Sequence, residues 1–275
     1  MDKILTQGTV ISSLHSKKYF GEECFAVIIT ARCDLANNKV GKVFFLEALP
    51  LDEWVLSQSG MQYVLIGSCK NIVDEIEKLF TNYGLDWETI RTFSLDEFNT
   101  VVDSIVTVRK DKERIKELYG KYVEITKEYT NKDDRKNVIR NHKKDVCNSV
   151  NKIVSGQNTH YVYIPSDGVS CDFKNGLIVD LQEVDYFDLE EIEDLISCTI
   201  DVQNDDLSDE KKIYYNKKFY IYEGVGYAIP TCNIKSPWIE YLMQHFSNVF
   251  SRIGIDTPRK EHVNKMIEKI YNEEK

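Results

Sequence analysis

The order of apolar and polar residues divides the chain into two β-like ends and a helix-like middle. Near the N-terminus, Thr9–Leu14, Cys24–Thr30 and Val43–Leu49 have the length and composition of strands. The second of these is apolar throughout, which is typical of a strand buried on both faces. Met61–Gly67 is another short apolar run, and we predict a fourth strand there.

The spacing of apolar residues then changes to that of helices. Apolar residues three or four positions apart predict a helix over Asn71–Tyr83, and Ser94, followed by Asp96 and Glu97, predicts the start of another. The segments 111–129 and 133–154 are helical in pattern and highly charged. Turn-forming residues separate them, so we expect two antiparallel helices.

The C-terminal part returns to strand patterns and ends in helices. We predict strands at Tyr161–Ile164, Leu177–Leu181 and Tyr227–Cys232, with a hairpin of Lys211–Tyr215 and Phe219–Tyr222. We predict helices at Asp188–Ser197, from Ser236 to Ile253 and from Thr257 to Tyr271. In the second helix Ser236 is the expected N-cap, and an apolar stripe begins at Trp238.

These elements predict an α+β fold. Both chain ends are expected to build one small sheet, either a mixed or antiparallel sheet or an SH3-like barrel. A charged helical hairpin is inserted between them, and helices follow at the C-terminus. The expected divisions are 1–92 for the N-terminal β-rich half of the core, 93–156 for the inserted helical region, and 157–275 for the C-terminal half.

Charge is distributed unevenly along the chain. The formal net charge is −10. Between Asp180 and Glu210 there are 13 acidic residues and no Lys or Arg, whereas residues 109–152 hold 14 basic and 8 acidic residues. A basic segment followed by an acidic one indicates a protein partner, with nucleic acid as an alternative partner for residues 109–152.

The N-terminal sequence has no secretory pattern, and no apolar run is long enough to span a membrane. We therefore expect a cytoplasmic protein without membrane contact. The seven cysteines are scattered and never form a C-x-x-C pair, which indicates free thiols in a reducing compartment. No cofactor and no metal are expected, because phosphate-loop and metal-ligand spacings are absent from the sequence.

Three segments resemble a family of uncharacterised bacterial proteins that occur near defence or mobile-element genes. They are a strand ending in a Cys-Asp turn (AVIITARCDLA, Ala26–Ala36), a second strand (GLIVDLQ, Gly176–Gln182) and a late helix (SPWIEYLMQHFSNVFSRIGI, Ser236–Ile255). The resemblance covers the two chain ends and assigns no activity. It implies a role in a bacterial defence or toxin–antitoxin-like system.

The opening segment also loosely resembles the SH3-like barrel of PemK/MazF-type toxins. Gly8 and the strand Val27–Thr30 match that pattern, whereas the Lys17-Lys18 pair stands where those toxins carry an Arg. This resemblance implies ribonuclease or nuclease activity around the first loops, with Lys17, Lys18, Arg32 and Asp34 as the residues concerned.

Candidate catalytic residues lie at the end of the second strand. Cys33 would be a nucleophile if a cation or a helix N-terminus stabilised its thiolate, and Asp34 beside Arg32 could orient a substrate. The alternative is a packed Cys and an Asp that caps its own loop. These residues carry the hypothesis of a Cys-dependent enzyme.

Candidate binding residues form two groups. The first is a basic set that suits phosphate groups, consisting of Lys132, Arg135, Lys136, Arg140, Lys143 and Lys144. The second follows one face of the late helix, at Tyr241, His245 and Arg252, with Asn248 between them. For each group a solvated helix surface is the alternative.

The sequence therefore favours a non-catalytic binding or interaction subunit of a bacterial defence or toxin–antitoxin-like system. Two alternatives stay open. The first is a ribonuclease or nuclease toxin on an SH3-like barrel, and the second is the Cys-dependent enzyme.

Overall fold

A six-stranded antiparallel sheet forms the centre of the protein. The computed structural model describes residues 5–37, 39–188, 200–201, 208–219, 227–228 and 230–251. The strands of this sheet are β1 (Thr9–Leu14), β2 (Cys24–Ile28), β3 (Lys42–Pro50), β4 (Tyr161–Ile164), β5 (Leu177–Asp188) and β8 (Pro230–Asn233). Their spatial order is β4-β5-β3-β2-β1-β8. Two short strands, β6 (Ile200–Asp201) and β7 (Tyr227–Ala228), pair separately.

The sheet joins both chain ends, as the sequence predicts. β1 pairs with β2 on one side and with β8 on the other, and β3 pairs with β5. The α+β class and the antiparallel sheet are confirmed. The barrel alternative is wrong, because β4 and β8 are the two edges of an open sheet.

Helices fill the chain between β3 and β4. After the short α1 (Arg32–Ala36), which follows β2, they are α2 (Leu51–Leu56), α3 (Gln58–Thr81), α4 (Trp87–Ile90), α5 (Leu95–Ile105), α6 (Arg109–Thr126), α7 (Lys132–Asn141) and α8 (Lys143–Val154). We call α2–α8 the helical layer. Ser94 caps α5: its Oγ accepts from the Glu97 amide, and the Glu97 carboxylate accepts from the Ser94 amide. The predicted start of that helix is therefore confirmed. The segment predicted as one helix over 133–154 is divided at His142.

The predicted strand at Met61–Gly67 is wrong, because these residues belong to α3. The Ser57 side chain accepts a hydrogen bond from the Gly60 amide and caps this 24-residue helix. The buried side chains of α3 recur at helical intervals through Ile72, Ile76 and Phe80, so the apolar run is one part of a longer helical stripe.

The two faces of the sheet carry separate cores. Strand residues that point to one face of the sheet, such as Ile28, Phe45 and Ile178, pack against the helical layer. The alternate strand residues, such as Val27 and Leu46, point to the opposite face and pack against the last described helix. Both faces of the central strands are therefore covered, in agreement with their continuously apolar sequences.

The C-terminal elements include one further correction. Lys211–Tyr215, predicted as a strand, lies in helix α9 (Asp209–Lys218), and Phe219 bridges to Leu14. The predicted late helix is confirmed as α10 (Trp238–Ser251). Of the helix predicted at Asp188–Ser197, Asp188 is the last residue of β5 and the remainder lies outside the described residues. The helix predicted from Thr257 to Tyr271 and residues 220–222 of the predicted hairpin also lie outside them.

Cys171 and Cys232 form a disulfide with a Cα–Cα distance of 5.5 Å. The interpretation of all cysteines as free thiols is therefore wrong for this pair. The bond joins the loop before β5 to the edge strand β8. The described free cysteines are Cys24, Cys33, Cys69 and Cys147.

Candidate functional site

The residues singled out at the end of β2 lie in helix α1. Cys33 is exposed, and its Sγ donates to Asp34 Oδ1 at 3.6 Å. Arg32 begins the same short helix. None of the three lines the cleft described below, so the structure does not bring them together with Lys17 and Lys18. The thiol-enzyme hypothesis stays a prediction.

The basic set divides into internal and exposed side chains. Arg135 is 6% exposed and donates to the carbonyls of Leu56 and Tyr129 and to Glu22 Oε1 at 2.8 Å. Lys132 lies 2.8 Å from Glu22 Oε2 and 2.5 Å from Glu53 Oε2. Both therefore connect α7 to the rest of the protein.

The remaining basic residues point outward. Lys136 pairs with Asp133 of the same helix at 3.0 Å, whereas Arg140, Lys143 and Lys144 lie on the surface around the end of α7 and the start of α8. Phosphate binding by this set stays a prediction that now depends on its exposed members.

The polar row on α10 faces the loop between α8 and β4. The rings of Tyr241 and His245 have centroids 4.3 Å apart. His245 and Asn248 line a cavity of about 280 Å³ together with Gly156 and Asn158. Arg252, the third predicted member, lies outside the described residues.

A different site is created by a bulge between β3 and β5. Leu46 pairs with Val184 and Ala48 pairs with Val179, so Glu47 alone is opposite residues 180–183. Such bulges redirect side chains and are frequent next to active sites. Here the bulge places Asp180 and Glu47 on the face of the sheet that the helical layer covers.

Two sets of hydrogen bonds occupy this bulge. The first is centred on Asp180, which is 1% exposed and accepts from Lys18 Nζ at 2.6 Å and from Tyr19 OH at 2.7 Å, both through Oδ2. Its Oδ1 accepts from the Gln182 amide, so the buried carboxylate has three donors. Trp54 Nε1 donates to Tyr19 OH at 3.3 Å, which fixes the phenol from the other side.

The second set is centred on Ser16 and includes Glu47. Ser16 Oγ donates to Glu47 Oε2 at 2.6 Å and accepts from the backbone amides of Lys18 and Tyr19. The hydroxyl has one proton, and both amides occupy its acceptor side, so Glu47 must act as the acceptor. A proton that Glu47 binds is therefore carried by the other oxygen, Oε1. We call Ser16, Lys18, Tyr19, Glu47 and Asp180 the bulge cluster.

The bulge cluster has shifted protonation equilibria. Burial raises the pKa of Glu47 to about 7, although the Ser16 hydrogen bond acts in the opposite direction, and the charges of Glu183 and Asp180 raise it further. Burial lowers the pKa of Lys18, but its hydrogen bond to Asp180 and the charge of that carboxylate outweigh this effect, and the net shift is upward. Lys18 therefore stays a cation at neutral pH, whereas the pKa of Glu47 lies near neutrality.

The thiol of Cys24 interacts with Ser16 and Glu47 of this cluster. Burial raises its pKa, and the charge of Glu47 raises it further, so it stays a neutral thiol. Burial also raises the pKa of Tyr19. Neither group is therefore a nucleophile at neutral pH.

Two cavities meet at Lys18. The first, which we call the bulge cleft, has a volume of about 770 Å³ and a wall of Leu14 and Phe45. Its polar lining residues are His15, Lys17, Lys18, Glu47, Glu183, Asp185, Lys217 and Lys218. The second, which we call the helix cavity, has a volume of about 510 Å³ and lies between the helical layer and the sheet.

Sequence reasoning missed Glu47 and Asp180, although a signal was present. Each is the one acidic residue inside an otherwise apolar strand segment, VFFLEAL for Glu47 and LIVDL for Asp180. Each also shares its parity with buried neighbours, Phe45 in one case and Ile178 in the other. An acidic residue at a core-facing position of a buried strand requires a partner, and that requirement marks the site.

Comparisons of the chain with protein-family models, curated protein sequences and solved structures gave no match. The two resemblances noted in the sequence therefore stay predictions. Within the described residues, no group of three or more His, Cys, Asp or Glu is arranged to hold a metal ion. No helix in the described part of the chain is long and apolar enough to cross a bilayer.

Proposed function

We propose that this protein binds an anionic ligand in the bulge cleft and that Glu47 exchanges a proton with the bound complex. The observation that carries the proposal is a carboxyl group with a pKa of about 7 in a 770 Å³ cleft that four lysines line. A group with this pKa holds and releases a proton at working pH, which suits acid–base chemistry on a bound molecule.

The cations of the cleft differ in how far they are already neutralised. Lys18 is paired with Asp180, and Lys218 lies 2.7 Å from Asp185 Oδ2. Lys17 and Lys217 are exposed at the cleft, and neither has an ion-pair partner among the described residues. These two side chains are available to an incoming anion, which would also meet the fixed charge of Lys18.

The link between anion and proton follows from electrostatics. A ligand with negative charge beside Glu47 disfavours its ionised form, so the ligand binds better when Glu47 is protonated. Affinity should therefore fall as the pH rises through 7. Sulfate is a suitable probe because it has no titratable proton in this range.

The test measures sulfate affinity at pH 6 and pH 8, by calorimetry or by chemical-shift titration. We expect the wild type to bind roughly fivefold more weakly at pH 8, and Glu47→Gln to lose most of this dependence. Glu77→Gln, an exposed change on α3, is the matched control and should behave as the wild type. Equal pH dependence in the wild type and in Glu47→Gln would refute the proton link, and absence of sulfate binding would refute the site.

A second candidate function is metal-independent RNA cleavage at the same site. It is favoured by the position of Lys17 and Lys18, which the toxin-like resemblance assigned to RNA cleavage and which line the cleft with Glu47 and His15. Glu47 as carboxylate would take the proton of a ribose 2′-hydroxyl, and the 2′-oxygen would form a bond to phosphorus. The P–O5′ bond would break, and the leaving oxygen would take a proton from an acid such as His15.

An RNA-cleavage assay distinguishes this candidate from binding alone. Labelled single-stranded RNA should be cut by the wild type and by Glu77→Gln, and left intact by Glu47→Gln. Intact RNA in all three samples, with sulfate binding preserved, would eliminate cleavage and keep the binding function. The interaction subunit of a defence or toxin–antitoxin-like system stays a prediction, and a ligand-binding subunit without turnover is compatible with it.

A further inference from the structure

The helix cavity and the bulge cleft share one side chain, Lys18. Its ammonium group lies 5.5 Å from the centre of the Tyr161 ring, which lines the helix cavity, and 2.6 Å from Asp180 in the bulge. A ligand that reaches from one cavity to the other passes this fixed cation. The two cavities can therefore take two chemically different parts of one molecule.

The lining of the helix cavity indicates what the second part is. The apolar lining residues are Tyr63, Ile66, Ile125 and Tyr161. Trp54 packs against the two tyrosine rings at centroid distances of 6.1 and 4.9 Å. Rings and branched aliphatic side chains favour a flat apolar group. Tyr161 is only 2% exposed, so half-buried Tyr63 and 64% exposed Ile66 provide most of the accessible apolar surface of this wall. A surface of this kind suits a ring system.

Polar side chains at the edge of the same cavity indicate which kind of apolar group it could bind. Ser59, Gln62, Thr126 and Gln182 line it alongside the apolar residues. Gln62 donates to the Thr126 carbonyl at 3.3 Å and so leaves its amide oxygen as an acceptor. The hydroxyls of Ser59 and Thr126 donate to the carbonyls of Lys18 and Tyr122. An aliphatic chain would offer no donor to the Gln62 amide oxygen, whereas the edge of a heterocycle carries donors that match it.

We propose that the ligand is a nucleotide, with its base in the helix cavity and its phosphate in the bulge cleft beside Lys17 and Lys217. This inference rests on the proposed function, because it places the anionic part where that function requires it. It adds the chemical class of the ligand and a second subsite. The base would contact the apolar wall of the helix cavity, and the phosphate would lie near the lysines of the bulge cleft.

Three probes separate the base from the phosphate. Adenosine monophosphate carries both parts, ribose 5-phosphate carries the phosphate without the base, and adenosine carries the base without the phosphate. We expect adenosine monophosphate to bind at least tenfold more tightly than ribose 5-phosphate, since an aromatic group buried on an apolar wall contributes about that factor or more. Adenosine should bind weakly but measurably.

The variant for this test is Ile66→Ser, because Ile66 is 64% exposed on α3 and its replacement should leave folding intact. It should weaken adenosine and adenosine monophosphate by about fivefold and leave ribose 5-phosphate unchanged. Ile105→Ser is the control, because Ile105 is 41% exposed on α5 and does not line the helix cavity, and this change should alter no affinity. Loss of folding can be checked by thermal unfolding of both variants.

The outcomes distinguish the two proposals. Equal affinity for adenosine monophosphate and ribose 5-phosphate would overturn the nucleotide inference and leave anion binding standing. Binding of adenosine that Ile66→Ser weakens, without binding of sulfate or ribose 5-phosphate, would support the base subsite and overturn the anion site. Failure of all three probes would overturn both.

Discussion

Replacing Glu47 by Gln should change how the stability of the protein depends on pH. The pKa of this carboxyl is raised from 4.5 to about 7 in the folded protein. Between these two values the unfolded chain has lost the proton and the folded protein still holds it, so each pH unit costs the folded state stability. The loss is absent below pH 4.5 and complete above pH 7.

The size of the effect follows from the shift. A difference of about 2.5 pH units corresponds to at most about 3 kcal/mol of unfolding free energy, lost between pH 4.5 and pH 7. Glutamine cannot ionise, and its amide oxygen can still accept the Ser16 hydrogen bond, so the variant keeps the geometry without the penalty. We therefore expect Glu47→Gln to match the wild type near pH 4.5 and to be more stable at pH 8 by about 2–3 kcal/mol.

Urea unfolding at pH 4.5 and pH 8 measures this difference. The comparison of variant and wild type at each pH removes the contributions of all other titrating groups. Glu77→Gln, exposed on α3, should change stability by less than about 0.5 kcal/mol at both pH values. A constant difference between Glu47→Gln and the wild type across this range would refute the raised pKa, and with it the reason for assigning proton exchange to Glu47.

Three further predictions concern buried charges and the disulfide. Lys18→Met should destabilise the protein by about 3 kcal/mol in urea unfolding, because the 1% exposed carboxylate of Asp180 loses its cation, and the double change with Asp180→Asn should recover at least half of this loss. Arg135→Met should cost about 3 kcal/mol or more, since it removes two bonds to backbone carbonyls and one to a buried carboxylate, and a cost below 1 kcal/mol would contradict the internal role of this residue. Reduction of the Cys171–Cys232 disulfide, which closes a separation of 61 residues, should cost about 4 kcal/mol, and identical unfolding with and without reductant would show that the bond contributes nothing.

The parts of the fold that the sequence predicted are those with local determinants. The bounds predicted for β1 are those observed, and the start of α5 follows from Ser94 and Glu97, which bond to each other three residues apart. Both are decided within a few residues of chain. The Met61–Gly67 run was ambiguous because a short, largely apolar segment fits a strand as well as one part of a long helix.

The error at Lys211–Tyr215 has a different cause. The segment KKIYY carries aromatic and β-branched residues that favour strands, but Asp209 and Glu210 in the first turn and Lys217 and Lys218 in the last turn suit the dipole of a helix. Tyr215 is buried beside Phe219, whose ring packs on Phe187 of the sheet at a centroid distance of 5.4 Å. Packing of one aromatic side chain therefore outweighed the strand preference of the segment.

The bulge cluster could not be derived from sequence because its geometry depends on register. Glu47 and Asp180 are 133 residues apart, and they share a site because β3 and β5 slip by several residues between Ala48 and Leu46. A single acidic residue within an apolar strand shows that a partner must exist, but it does not identify the partner. Lys18 and Tyr19 come from a loop whose sequence indicated only a basic pair.

The energetics of this cluster argue that it is kept for a function. A buried ion pair contributes little net stability compared with neutral side chains of similar shape, because both charges must leave water. Glu47 adds a further cost, since the folded protein at neutral pH holds a carboxyl that burial disfavours in its ionised form. Neutral residues at positions 18, 47 and 180 would satisfy Ser16 and Tyr19 equally well as hydrogen-bond partners. A protein whose stability alone mattered would gain from such replacements, so the charges and the raised pKa of Glu47 at the junction of two cavities agree with the anionic ligand that we propose for the bulge cleft.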